Sequence, residues 1–172
     1  IALPIMLGNM AQTIINFTDT AFLGHVGVIA LGASMLAGLF YLLFTTVAAG
    51  FAIGIQIIVA RRFGEKNYGR IGVIFEHGSI FVLLLGSLLF SILYFCSDRL
   101  LMLLIDSPNI YDASVEYIKY RQFGILFVCF NYLYRALYVG ISDTKVITYS
   151  TLVMAIVNIV LDYCLIFGNF GF

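Results

Sequence analysis

Two carboxylates in this chain stand where carboxylates are costly. Asp19 is the only charge between Ile1 and Leu23, and Asp162 is the only charge between Val146 and Phe167. Each follows an amide by about one helical turn, Asn16 before Asp19 and Asn158 before Asp162. The stretch NMAQTIINFTDT, residues 9–20, sets Asn9, Gln12, Asn16 and Asp19 at steps of three, four and three, so all four share one stripe of a helix. Thr151, Ala155, Asn158 and Asp162 make a second stripe of the same kind. Carboxylate and amide oxygens are hard ligands, suited to sodium or a proton and not to soft metals. An ionised carboxylate inside a membrane span costs about 2.5–3.5 kcal/mol even on the lenient insertion scale. The cost falls if the group faces a wet cavity, is protonated or holds a cation. If Asp19 and Asp162 meet, they titrate as one coupled pair. The competing reading is interhelical hydrogen bonding, which serves Asn9 and Gln12 equally well. Another places both carboxylates at the outer interface, where an Asp costs little.

The composition requires a membrane. Hydrophobic residues make up 62% and charged residues 10% of the chain, against roughly 25% charged in a soluble domain. Net charge is zero, which argues against nucleic acid as a partner. Cys96, Cys129 and Cys164 lie scattered in apolar runs and read as small buried hydrophobes, with no zinc pattern. His25 and His77 are isolated and read as loop or helix-end residues. There is no phosphate loop, catalytic triad or HExxH signature, so no enzyme and no cofactor is expected. The first residue is Ile, no basic leader precedes the first apolar run, and the chain reads as a fragment of something longer.

The expected fold is all-α, a polytopic transmembrane bundle of about five spans: 1–23, 33–60, 72–96, 113–139 and 146–167, with no separate soluble domain. The glycines Gly24, Gly27 and Gly32 are expected to break the first connection. Leu100–Ile105 is expected to lie at the interface, and Ser107-Pro108 has the form of a helix start. Gly8, Gly38, Gly50 and Gly54 would allow close helix approach, and Gln56 reads as a packing residue. Lys119 and Arg121 read as solvated or bound to headgroups. Six Lys or Arg flank one side (Arg61, Arg62, Lys66, Arg70, Arg135, Lys145) and three the other (Arg99, Lys119, Arg121), which puts the N-terminus in the cytoplasm. Spans one and five then run in the same direction. Asp19 lies 15 residues past Pro4 and Asp162 lies 17 past Lys145, so their depths differ by roughly 3 Å at the helical rise.

Several segments resemble the multidrug and toxic compound extrusion (MATE) family of antiporters. "N..DTAFLGHVG" resembles the family's first span. "GIQIIVARRFGEKN" resembles the end of its second, with Ile55-Gln56 where Ala-Gln is usual. "YRALYVGISDTK" resembles the turn between its fourth and fifth spans, with Ser142 where the family has Gly. "NIVLDYCLIFGNFGF" resembles its fifth span. The likeness implies the N-terminal lobe of a twelve-span, two-lobe exporter of cationic or amphipathic compounds, driven by sodium or protons. It implies a multi-pass bacterial inner-membrane protein whose partners are the bilayer, a small-molecule substrate and the remainder of its own chain. It further implies that Asp19, Asn158 and Asp162 bind the coupling ion, with Gln12, Asn16 and Thr151 lining the cavity. A span-six residue that often completes the site is absent, so this stretch alone should not transport.

Two other readings compete. Lipid-linked oligosaccharide flippases belong to the same superfamily. A small oligomeric channel or structural subunit would also use a polar stripe, but a pore needs polar positions along the whole span and Ile1–Leu7 has none.

Overall fold

The computed structural model describes residues 2–166, and the side chains of residues 6, 8 and 10–165. Described residues form six α-helices and no strands: α1 (Ala2–Val26), α2 (Val28–Gly64), α3 (Tyr68–Met102), α4 (Pro108–Arg121), α5 (Ile125–Gly140) and α6 (Thr144–Ile166). A single 3-10 turn, Gln122–Gly124, joins α4 to α5. The pair therefore makes one continuous rod, Pro108–Gly140. Among the described residues, four stretches are long and apolar enough to cross a membrane: Val28–Gly64, Tyr68–Met102, Pro108–Gly140 and Thr144–Leu165. α1 has the length, at 25 residues, but its polar stripe keeps it out of that set. The expected end of the fifth span, Phe167, lies outside the described residues.

The helices outrun the expected spans because apolarity marks the lipid-embedded part only. α2 has 37 residues, about 55 Å of helix against a hydrocarbon core of about 30 Å. The first connection is a correction. Gly24 and Gly32 are helical, and the chain breaks only at Gly27, whose φ of +146° no L side chain adopts readily. A helical glycine costs about 1 kcal/mol, too little to stop a helix held by its neighbours. Leu100–Ile105 carries the end of α3, which continues through Met102, and Leu101 within it is fully buried. Ser107 and Pro108 do start α4, although the Ser107 side chain caps nothing.

The helix ends use left-handed residues. After α2, Asn67 N–H donates to Arg62 C=O and Lys66 N–H to Phe63 C=O, each at 3.0 Å. This is a Schellman closure, with Lys66 at φ +56° in the place usually taken by glycine. Beside it, Arg62 and Arg61 both grip Glu65, at 2.6 and 3.1 Å. These guanidinium groups hold the Glu65 carboxyl below the usual carboxylate range. After α5, Ser142 takes the left-handed position at φ +62°.

The chain divides into two compact units, Ile1–Leu31 with Asp143–Phe172, and Gly32–Ser142. In the larger unit Leu93, Leu101, Ile118, Ile125 and Leu133 are fully buried. Close approach there depends on glycines other than the expected ones. A Cβ on Gly140 would meet Val59 at 2.7 Å, and one on Gly86 would meet Leu126 at 2.9 Å. Gly38, Gly50 and Gly54 face open space. Of the three cysteines only Cys129 is buried; Cys96 is exposed and Cys164 intermediate. A thiol is apolar enough for a lipid-facing surface, so composition could not distinguish the two settings.

Candidate functional site

The smaller unit is a helix pair, and its register brings the carboxylates together. Ala11 and Ile15 of α1 form a small core with Ala155 of α6. Gly8 lies against Thr151, whose hydroxyl would be 3.7 Å from a Cβ there. The step of eleven from Gly8 to Asp19 matches the step of eleven from Thr151 to Asp162, so two parallel helices in that register carry both carboxylates to the same level. The Asp162 carboxyl interacts directly with that of Asp19. Small residues at Gly8, Ala11 and Ala155 let the helices approach without pushing this level apart.

Three oxygens of this helix pair are left without partners. Oδ1 of Asp19, Oδ1 of Asn158 and Oδ2 of Asp162 are all buried and accept no hydrogen bond. No other buried side-chain nitrogen or oxygen among the described residues is left in that state. Buried polar atoms in folded proteins nearly always have a partner, and an orphaned one costs about 1–3 kcal/mol. Carboxylate and amide oxygens are hydrogen-bond acceptors. What satisfies them must bring positive charge or a donor: a cation, a shared proton or a water molecule.

The remaining residues of the two stripes are arranged differently. Gln12 and Asn16 are exposed, and Gln12 Nε2 donates to Asn16 Oδ1 at 3.5 Å. Thr151 is half-buried and donates to Ile147 C=O at 2.8 Å, which ties its hydroxyl to its own helix. The Asn9 side chain lies outside the described set. Thr18 and Thr20 likewise donate to backbone carbonyls of Ile14 and Asn16. The three unpartnered oxygens are thus the part of the stripe that the helices themselves do not satisfy.

His25 sits in the last turn of α1 and His77 inside α3, and each engages a carbonyl one turn back. Gln56 is half-buried and lines a cavity of about 270 Å³ with Tyr132 and Arg135, so it is not sealed in packing. Sequence reading also missed the setting of Arg121. Its guanidinium stacks 4.9 Å from the Tyr41 ring and 5.3 Å from the Tyr117 ring, and it donates to the Tyr117 hydroxyl. Tyr117 at four residues' spacing was a visible signal; Tyr41, on another helix, was not.

The family model for MatE matches residues 4–164 of the chain. The chain belongs to the MatE family. This MatE chain is 28% identical over 99% of its length to a probable multidrug resistance protein NorM of Agrobacterium fabrum. It is 30% identical over its full length to another from Rhizobium meliloti, and 27% identical over 99% to the multidrug resistance protein PmpM of Pseudomonas aeruginosa. It spans only 36–37% of the length of those relatives. Its fold matches a MOP superfamily transporter from Pyrococcus furiosus at a TM-score of 0.91, with 24% identity, over 98% of this chain and 38% of that one. An outward-facing MATE transporter of the same superfamily matches at 0.90, over the same shares. The MatE chain is therefore a polytopic transmembrane helical bundle, part of the N-terminal lobe of that architecture.

Proposed function

We propose that this chain forms the ion-coupling portion of the N-terminal lobe of a multidrug exporter. Asp19, Asn158 and Asp162 seat the coupling ion, sodium or a proton. The three buried acceptors without partners support this reading more than any other feature. A packing role for the stripe would leave them satisfied, as the neighbouring threonines are.

The coupling follows from charge. Asp19 and Asp162 neighbour each other on adjacent parallel helices, and they repel when both carry charge. An ion bridging Asp19 and Asp162 removes that repulsion and draws α1 and α6 together. The ion thereby favours one arrangement of the pair over another, which is what an ion must do to drive a conformational cycle. Gln12 and Asn16, exposed on the same stripe of α1, would line the approach. Thr151 would close the floor beside Gly8. The exported compounds are small-molecule drugs, in keeping with the relatives' names as multidrug resistance proteins, and we take them to be amphipathic or cationic. The N-terminus and the Arg61–Arg70 segment lie in the cytoplasm, as the basic residues indicate.

The test is efflux from proteoliposomes containing the full-length protein, with imposed sodium or proton gradients. Asp19→Asn and Asp162→Asn should each abolish gradient-driven efflux at matched protein levels. The double variant should be no worse than either single one, because the pair acts as one site. Wild-type efflux by both single variants would reduce the stripe to packing.

A further inference from the structure

The larger unit carries a second polar feature, remote in sequence from the carboxylate pair. Near the C-terminal ends of α3 and α4, a cavity of about 490 Å³ is lined by Tyr94, Ser97, Asp98, Lys119, Tyr120 and Phe123. Asp98 and Lys119 bring opposite charges to one cavity, yet they are not joined. The ion pairs among the described residues are those of Glu65 with Arg61 and Arg62. Two opposite charges that share a space without closing on each other leave room for a ligand carrying both signs.

Buried neighbours fix the spacing. Ser97 is 4% exposed and its hydroxyl donates to Asp98 Oδ1 at 3.5 Å. Gln122, also 4% exposed, donates from Nε2 to the Lys119 carbonyl at 3.1 Å, at the point where α4 tightens into its 3-10 turn. Tyr111 donates to the Asp98 carbonyl at 3.3 Å, tying the start of α4 to the end of α3. The two charged residues are therefore anchored to backbone that is itself cross-braced.

The level suits a headgroup. Asp98 lies four residues before the end of α3 at Met102, about 6 Å along the axis. α3 has 35 residues, about 52 Å of helix, longer than the hydrocarbon core by about 10 Å at each end. Tyr94 and Tyr120 at the rim are the residue type that settles at the membrane interface. Below the rim, Phe123 packs on Phe90 at 5.5 Å, and both rings offer an apolar face for acyl chains.

We propose that this cavity binds a zwitterionic phospholipid with a primary ammonium headgroup, its phosphate on Lys119 and its ammonium on Asp98. A quaternary ammonium cannot donate to Asp98, and the hydroxyls of an anionic glycerol headgroup donate without the charge of an ammonium, so phosphoethanolamine lipids are favoured over both. This proposal is independent of the coupling site.

The test is native mass spectrometry of the full-length purified protein, titrated with dioleoyl phosphatidylethanolamine, phosphatidylcholine and phosphatidylglycerol. The ethanolamine lipid should bind about tenfold more tightly than the other two, the scale of one charge-assisted hydrogen bond. Asp98→Asn should abolish that preference and leave phosphatidylglycerol binding unchanged. Lys119→Gln should weaken all three lipids. Free phosphoethanolamine at millimolar concentration should not compete, because it lacks the chains that Phe90 and Phe123 receive. Equal binding of the three lipids by the wild type would overturn the proposal, as would a preference that survives both substitutions. Competition by free phosphoethanolamine would make the site one for a soluble zwitterion and overturn the lipid assignment.

Discussion

Asp19→Asn exchanges one carboxylate oxygen for an amide NH₂ and leaves the side chain's shape unchanged. In the wild type, Oδ1 of Asp19 and Oδ2 of Asp162 are buried and unpartnered. The new NH₂ can donate to Asp162, so one substitution removes an orphaned acceptor and supplies a donor to its neighbour. An interhelical hydrogen bond in a membrane contributes about 0.6 kcal/mol on average. Removing the ionised group also removes an insertion cost of at most about 2.5–3.5 kcal/mol, the value for a helix centre, and less in the outer half of the span. A net stabilisation of about 1–3 kcal/mol follows, alongside loss of ion coupling. The assay is reversible unfolding of the full-length protein in bicelles, with and without sodium and at two proton concentrations. The wild type should gain stability from its coupling ion in proportion to the logarithm of ion concentration. The Asn variant should start higher and lose that dependence. A variant at least 1 kcal/mol less stable than the wild type, or one that gains equally from the ion, would refute the reasoning and make Asp19 a structural hydrogen-bond acceptor.

Three further outcomes test the fold and its orientation. Gly140→Ala puts a Cβ 2.7 Å from Val59 and 3.2 Å from the Gln56 carbonyl; it should destabilise the protein by about 1–3 kcal/mol, with partial rescue by Val59→Ala. Gly38→Ala, facing open space, should be neutral or stabilising by up to about 1 kcal/mol in the same unfolding assay. Ser142→Gly relieves a residue at φ +62° and should raise stability by about 0.5–1 kcal/mol, since the left-handed cost exceeds the entropy glycine adds to the unfolded chain. An Asn67→Cys variant on an otherwise cysteine-free background should resist impermeant maleimide in intact cells; labelling from outside would invert the proposed topology.

The sequence by itself determined the membrane setting, the helical class and the location of the costly carboxylates. Those follow from local quantities. Apolar run length, basic residues at helix ends and 3.6-residue periodicity are all written along a single segment. The same reading put Asp19 and Asp162 at matching depths, because helical rise is constant. It could not say that Oδ1 of Asp19, Oδ1 of Asn158 and Oδ2 of Asp162 would all be left without donors. That depends on what the other helix presents at their level, and on the small residues at Gly8, Ala11 and Ala155 that set how near it comes. Glycines show the same division. Composition offers every glycine as a place for close approach, but only packing selects Gly86 and Gly140 over Gly38, Gly50 and Gly54. Likewise Gly24, Gly27 and Gly32 look alike in sequence, and only Gly27 breaks the helix, because helical neighbours outweigh about 1 kcal/mol of poor propensity unless the chain must also turn. Tyr41 beside Arg121, and Asp98 facing Lys119 across one cavity, join residues on separate helices. Pairings of that kind are decided by which faces the helices bury, and tertiary structure alone supplies them.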